Sequence, residues 1–215
     1  MLTVLDYGAG NLASLAGALS REKLDFRLVD HSDGVVPSDG PLVLPGVGHF
    51  RSAKEALVER GLWQALERAI ADGRPVVGIC LGLQLLAEGS EESPGERGLG
   101  ALRGIAAKLP PSVKVPHMGW GEVVTKNVPD YMQSAPKWLY FVHSYALPVT
   151  DETVLVAEHG VGFSAAAAKG LVFGIQAHPE RSGREGQAFL GALLRSIGTP
   201  SVGARAHTNT RTELA

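Results

Sequence analysis

Apolar residues in the first 80 positions fall into four short runs, each of which ends at turn-forming residues. The runs are LTVLDYG from Leu2, DFRLVD from Asp25, GPLVLPG from Gly40 and PVVGIC from Pro75. Helical patterns lie between the first and second runs and between the third and fourth. This alternation predicts a parallel sheet with helices on its faces.

The longest helical pattern runs from about residue 51 to residue 72. Charged residues occupy the positions around an apolar stripe, so the pattern predicts one amphipathic helix packed on the sheet. The stripe consists of Leu57, Leu62, Leu66, Ala69 and Ile70.

The pattern changes from about residue 101 to residue 175, where short apolar runs are separated by Gly, Pro and Asp. The runs KWLYFVHSYAL, ETVLVAEHG, FSAAAAKG and LVFGIQAHPE suit hairpins and a mixed sheet, and LRGIAAKLP opens this half. A closing helix follows in GREGQAFLGALLRSIG, with Phe189, Leu190, Leu193, Leu194 and Ile197 on one side. We therefore expect one α/β domain over residues 1–197, with a mixed, mainly parallel sheet flanked by helices. Residues 198–215 form a polar tail that we expect to be flexible.

Charge and cysteine content narrow the classes of function. The net charge is −2 and the pI is about 6.4, so the excess of Lys and Arg expected of a nucleic-acid-binding protein is missing. No stretch approaches the roughly 18 apolar residues of a membrane span, so we expect no membrane association. A single cysteine, Cys80, forms no internal disulfide, and together with the N-terminal sequence it favours the cytoplasm.

The segment GAGNLA, from Gly8 to Ala13, matches the glycine pattern of a dinucleotide-binding turn. Asp30 stands near the position expected for a ribose-binding carboxylate. The alternative is that the two glycines only allow a sharp turn from strand to helix. Polar Asp6 and Tyr7 precede the first glycine, where such sites usually continue an apolar strand, and this favours the turn.

Cys80 stands in GICLG, which has the form of the G-x-S-x-G motif with sulfur in place of oxygen. An apolar strand precedes it and a helical pattern follows, as that motif requires. The glycines allow a tight bend, and the helix N-terminus beyond Cys80 favours a thiolate. The two interpretations are a nucleophile exposed at the turn and a buried, inert thiol.

His178 and Glu180 are two positions apart in AHPERS, on either side of Pro179. In an extended backbone such residues face the same way, so the carboxylate can orient one ring nitrogen and leave the other for a nucleophile. Pro179 places the pair at a strand end or edge. The alternative is a surface turn without a catalytic role.

The glycines of PGVG, from Pro45 to Gly48, follow a predicted strand and can expose successive backbone N–H groups to an anion. With the N–H of Leu81, the residue after the cysteine, they would form an oxyanion hole. A turn that binds no ligand is the alternative.

Together these residues and motifs resemble the class I, or triad, glutamine amidotransferase family. The resemblance covers about residues 1–197 and rests on GICLGLQLL and HPE. It implies a flavodoxin-like architecture in which a sharp strand-to-helix turn, the nucleophile elbow, carries the nucleophile, and it implies a catalytic triad of Cys80, His178 and Glu180. It places Val47, Gly48 and Leu81 around the oxyanion. It also implies a glutamine pocket lined by Gln84, Glu92, Ser144 and Tyr145.

Within that family, DYGAGNL, LPGVGHF, PHMGW and FVHSY resemble the glutaminase subunits of imidazole glycerol phosphate synthases. The resemblance implies no cofactor and a heterodimer with a (β/α)8 cyclase subunit, which uses the ammonia in histidine biosynthesis. Candidate docking residues are Asn11, Met118, Trp120 and Tyr140, although Trp120 also suits a core position. A different synthase as partner and a catalytically silent metabolite-binding module are the alternatives. The seven histidines show no metal-ligand spacing with the cysteine, so we expect no metal site.

Overall fold

A computed structural model describes residues 1–36, 40–132, 135–197 and 199. Its helices are α1 (Leu12–Arg21), α2 (Phe50–Glu59), α3 (Leu62–Ala71), α4 (Leu81–Leu86) and α5 (Gly183–Ser196). Its strands are β1 (Leu2–Leu5), β2 (Phe26–Val29), β3 (Leu42–Gly46), β4 (Val76–Cys80), β5 (Gly89–Ser90), β6 (Ile105–Lys108), β7 (His117–Glu122), β8 (Val124–Thr125), β9 (Trp138–His143), β10 (Tyr145–Ala146), β11 (Thr153–Glu158), β12 (Gly162–Lys169) and β13 (Val172–Ile175). Apart from Thr199, the tail expected to be flexible lies outside the described residues.

The central sheet has eight strands in the order β2-β1-β3-β4-β13-β12-β11-β8. Strands β2, β1, β3, β4 and β13 run parallel to one another, whereas β12, β11 and β8 extend the sheet beyond β13 with antiparallel pairs. All residues of β3 and β4 are buried, as expected of parallel strands covered on both faces. The predicted single α/β domain with a mixed, mainly parallel sheet is confirmed.

Two apolar clusters lie on opposite faces of this sheet, since successive strand residues alternate between them. One cluster contains Val4, Val43 and Val77 and buried residues of α1 and α5. The other contains Leu42 and Val76 and buried residues of α2, α3 and α4. Among the described residues, no helix has the length and apolar character needed to cross a bilayer.

The single helix predicted over residues 51–72 is wrong, because the chain forms α2 and α3 with a break between them. Gly61 adopts φ +67° at the break, a left-handed conformation that glycine adopts without a steric penalty. Both helices bury apolar residues of the same stripe, so the stripe continues past the point where the helix is interrupted. The closing helix is confirmed, and the five apolar residues assigned to its inner side are all buried.

Strand β4 passes into α4 within one residue, and this turn depends on two glycines. A Cβ on Gly82 would overlap the carbonyl oxygen of Leu44 in the adjacent strand. A Cβ on Gly78 would lie 2.6 Å from the backbone carbonyl carbon of Gly82. The glycines therefore allow α4 to start directly against β3 and β4.

We predict that Gly82→Ala destabilises the protein by about 3 kcal/mol or more, because an added methyl group in a closely packed site forces the backbone to move. This cost exceeds the gain of about 1 kcal/mol that alanine brings to a helix. Chemical unfolding measures the difference. The matched control is Gly162→Ala in β12, where an added Cβ meets no atom within 4 Å and the change should stay within about 0.5 kcal/mol. Equal stability of the two variants would contradict the account of the turn.

Candidate active site

Cys80 stands at the turn between β4 and α4 in a strained conformation, with φ +55° and ψ −105°. Strain of this kind in a residue other than glycine is concentrated at active sites. The side chain is only 5% exposed, yet it lines a cavity of about 310 Å³. Cys80 is thus a buried, free thiol that faces a space large enough for a small metabolite.

His178 and Glu180 are joined by a hydrogen bond of 2.8 Å between Nδ1 and Oε1, and both side chains are buried. The pair follows β13, as predicted for a strand end. Its backbone is not the expected extended segment, however, because Pro179–Arg181 form a short 3₁₀ turn. Proline suits the first position of such a turn, and the turn brings the carboxylate back onto the imidazole. The Nε2 atom is left available on the other side of the ring.

The backbone around His178 is also held in place. Its N–H donates to the carbonyl of Tyr140 in β9 at 2.8 Å, and its carbonyl accepts from the hydroxyl of Ser182 at 2.7 Å. The Ser182 hydroxyl oxygen in turn accepts from the N–H of Tyr140 at 2.9 Å. His178 is therefore held in place both at its ring and at its backbone.

Two opposing effects act on the charge of His178. Burial disfavours the imidazolium, but hydrogen bonds with Cys80 and Glu180 and the charges of both groups favour it, and together they raise the pKa of His178 to about 10. The imidazole therefore lies close enough to the sulfur to interact with it. A protonated ring beside the sulfur stabilises a thiolate.

All seven residues expected around the oxyanion and in the glutamine pocket line the cavity next to Cys80 and His178. These residues are Val47, Gly48, Leu81, Gln84, Glu92, Ser144 and Tyr145. The cavity also includes four residues that were not expected there, Pro116, Val142, His143 and Arg181. These additions come mainly from the β7 and β9 region, whose position depends on long-range packing.

Internal hydrogen bonds hold two of the polar lining residues. Gln84 donates from Nε2 to the backbone carbonyl of Tyr145 at 3.0 Å. Glu92 accepts the backbone N–H of Phe50, the first residue of α2, at 2.8 Å. The carboxylate thus caps this helix while it lines the cavity, and a negative charge is favourable at that end of a helix.

The expected docking residues differ in exposure. Met118 is 62% exposed and Trp120 is 54% exposed, so Trp120 is a surface residue and not a core residue. Trp120 pairs with Tyr140 across β7 and β9, and their rings meet edge to face. Asn11 lines the cavity and its side chain also caps α1 by accepting the N–H of Ser14.

The GAGNLA segment forms the turn from β1 into α1. Gly8 and Gly10 have φ of +86° and +142°, which supports the interpretation that these glycines permit a turn. Asp30 is exposed next to His31.

Two histidines near the cavity were not anticipated. His143 and His117 meet at 3.3 Å between Nε2 and Nδ1, and the other ring nitrogen of His143 lies 3.1 Å from the carbonyl of Tyr145. Because a carbonyl only accepts, His143 donates from Nδ1 and accepts at Nε2. Burial lowers the pKa of His143 to about 3 and that of His117 to about 4, so both rings are neutral. Within the described part of the chain, no group of three or more His, Cys, Asp or Glu side chains is arranged to hold a metal ion.

Comparison with known proteins places this geometry in context. Residues 3–194 match the family model described as glutamine amidotransferase class-I. The chain is 40% identical over 193 residues to imidazole glycerol phosphate synthase subunit HisH of Bacillus cytotoxicus, covering 88% of this chain and 92% of that protein. It is 42% identical over 199 residues to the subunit of the same name from Methanothermobacter thermautotrophicus, covering 92% and 99%.

Solved structures share the fold at low sequence identity. A crystal structure of a glutamine amidotransferase has a TM-score of 0.71 at 17% identity and covers 92% of this chain and 99% of its own. The structure of PurLQS from Thermotoga maritima has a TM-score of 0.69 at 20% identity, with coverage of 90% and 97%.

We predict that the imidazole of His178 stays protonated well above pH 6.5, its ordinary pKa, and loses its proton only near pH 10. Because the folded-state pKa is raised, the imidazolium adds stability that is complete below about pH 6.5 and is lost as the pH rises toward 10. NMR titration of labelled histidine measures the pKa.

Glu180→Gln should lower the pKa of His178, because a neutral amide replaces the carboxylate that stabilises the ring. The control is Glu55→Gln, which removes an exposed carboxylate on α2 and should leave the titration unchanged. A His178 pKa at or below 6.5 in the unaltered protein would contradict the ion pair between the His178 imidazolium and the Glu180 carboxylate.

Proposed function

Because this chain belongs to the class I glutamine amidotransferases, we propose that it hydrolyses the side-chain amide of glutamine as the glutaminase subunit of an imidazole glycerol phosphate synthase. The relatives at 40% and 42% identity that carry this name match nearly all of their own length to the chain. We propose that residues 1–197 carry this function and that the protein acts in the cytoplasm. The proposed products of the whole synthase are imidazole glycerol phosphate and aminoimidazole carboxamide ribotide.

The observation that carries the proposal is the arrangement of three groups in sequence, of which Cys80 and His178 line the cavity and Glu180 lies behind the imidazole. Cys80 is held at a strained turn, His178 reaches its sulfur, and Glu180 holds the opposite ring nitrogen at 2.8 Å. A nucleophile, a base and an orienting acid in hydrogen-bond contact can cleave an amide through a covalent intermediate.

The proposed reaction has two stages. The Cys80 thiolate forms a bond to the amide carbon of glutamine, and backbone N–H groups near Val47, Gly48 and Leu81 stabilise the resulting oxyanion. His178 gives its proton to the departing nitrogen, the carbon–nitrogen bond breaks, and ammonia leaves a glutamyl thioester.

In the second stage His178 takes a proton from water, and the oxygen attacks the thioester carbon. The carbon–sulfur bond then breaks, which releases glutamate and restores the thiolate and the imidazolium. Glu180 keeps the ring oriented and stabilises its positive charge throughout.

We propose that the partner is the cyclase subunit of the synthase, bound at the surface formed by Asn11, Met118, Trp120 and Tyr140. Exposed Met118 and Trp120 give this surface the apolar and aromatic character of an interface core. The cavity reaches the same region, since Asn11 belongs to both. A partner bound here would receive ammonia before solvent protonates it.

We predict that Cys80→Ala abolishes glutamine hydrolysis, with a loss of at least about 10⁴-fold, because removing the nucleophile leaves only binding and oxyanion stabilisation. Glutamate release by the cyclase complex measures the activity. The unfolding midpoint should change little, which separates lost chemistry from lost structure. Substantial hydrolysis by the folded variant would refute the role of Cys80.

We predict that Trp120→Arg weakens binding of the cyclase by about tenfold or more, because an exposed aromatic residue at an interface centre is a typical hot spot. Calorimetry with the purified cyclase measures the affinity. The matched control is Leu171→Arg, which changes another exposed apolar residue, 39% exposed, just before the amino end of β13 and away from the cavity. Equal effects of the two substitutions would argue against this docking surface.

A further inference from the structure

Gln176 lies next to the sulfur of Cys80, and its position follows from the pairing of two parallel strands. Strand β13 pairs with β4 so that Ile175 lies opposite Ile79. The next residues along the chain are Gln176, directly after β13, and Cys80, the last residue of β4, so both lie where the two strands end. Gln176 is completely buried, and its Nε2 is 3.7 Å from the Cys80 sulfur.

The orientation of the Gln176 amide is determined by its neighbours. The backbone carbonyl of Tyr145 can only accept, so the atom of Gln84 that lies 3.0 Å from it is the donor Nε2. The same Nε2 lies 3.3 Å from Gln176, which must therefore present its oxygen there. As a result, the NH₂ group of Gln176 points toward sulfur.

The sulfur of Cys80 therefore has three polar neighbours with different preferences. His178 and Gln176 both present N–H donors to it, whereas the backbone carbonyl of Val142, at 3.7 Å, can only accept from a thiol. Donors stabilise a thiolate, and the carbonyl stabilises the neutral S–H group. Gln176 is thus a second donor that supports the charged form against the carbonyl.

We propose that Gln176 is a further catalytic residue, whose amide N–H stabilises the Cys80 thiolate and directs it into the cavity. Its role in turnover rests on the proposed glutaminase function, but its effect on the sulfur does not. The link through Gln84, which lines the cavity, keeps the Gln176 amide from rotating and thereby maintains the donor.

The test is the pH dependence of Cys80 alkylation by iodoacetamide in the full chain, which needs neither glutamine nor a partner. Gln176→Glu keeps the size of the side chain and an oxygen for Gln84, but it presents a carboxylate oxygen to sulfur. Gln176→Met removes the donor without adding a charge, and its flexible side chain fits a buried site. The rate is measured across the pH range, with unfolding midpoints to verify that each variant is folded.

We expect the pH midpoint of alkylation to rise by about one unit in Gln176→Met, equivalent to about a tenfold smaller thiolate fraction below the midpoint. Gln176→Glu should give a larger rise, because it replaces attraction by repulsion. The plateau rate at high pH should increase, since a more basic thiolate is a stronger nucleophile. A merely structural role would not produce this graded shift in the midpoint.

Gln64→Glu is the matched control, because Gln64 is exposed on α3 and the same charge change there should not move the midpoint. Midpoints of folded Gln176→Met and Gln176→Glu within about 0.3 units of the unaltered protein would overturn the proposal. If the midpoints shift as expected but the cyclase complex of the unaltered protein hydrolyses no glutamine, the proposed function fails and the role of Gln176 as a thiolate donor stands.

Discussion

The structure depends on the parallel pairing of β4 with β13. This pairing places the ends of the two strands side by side, so that Cys80 from one strand meets Gln176 and His178 from the segment after the other. Residues almost 100 positions apart in the sequence thus become neighbours. Because both strands are buried on both faces, the register cannot slip without moving apolar side chains out of the core.

Within that pairing, the turn at Cys80 combines strain with close packing. The unfavourable φ of Cys80 persists because Gly78 and Gly82 allow the start of α4 to contact the neighbouring strand backbone. On the other side of the sulfur, the backbone of His178 is hydrogen-bonded to Tyr140 in β9. Strand β9 pairs with β7, which carries exposed Met118 and Trp120. The proposed docking surface is therefore connected to the backbone of His178 both directly through Tyr140 and by way of the Ser182 hydroxyl.

Short apolar runs and their alternation with helical patterns were sufficient to predict the parallel half of the sheet and the closing helix α5. The same periodicity failed at Gly61, because an amphipathic stripe can continue across a break between two helices that pack on one face. The extended backbone expected at His178 was also wrong, since the local pattern does not reveal that the chain turns after the strand. Gln176 and the two buried histidines were missed because strand register and long-range packing decide their contacts. The glycines of PGVG and the position of Leu81 indicated the oxyanion region, whereas the glutamine-pocket residues came from family resemblance alone. The roles of both sets remain proposals.

The central claim is that the sulfur of Cys80, stabilised as a thiolate by the charged imidazole of His178, forms a covalent bond to the amide carbon of glutamine. Acid quenching of the cyclase complex during turnover of glutamine, followed by mass spectrometry of the Cys80 peptide, tests it most directly. The account predicts a glutamyl group on Cys80, bound as a thioester that hydroxylamine removes. Rapid release of glutamate with the glutamyl group on another residue would contradict it.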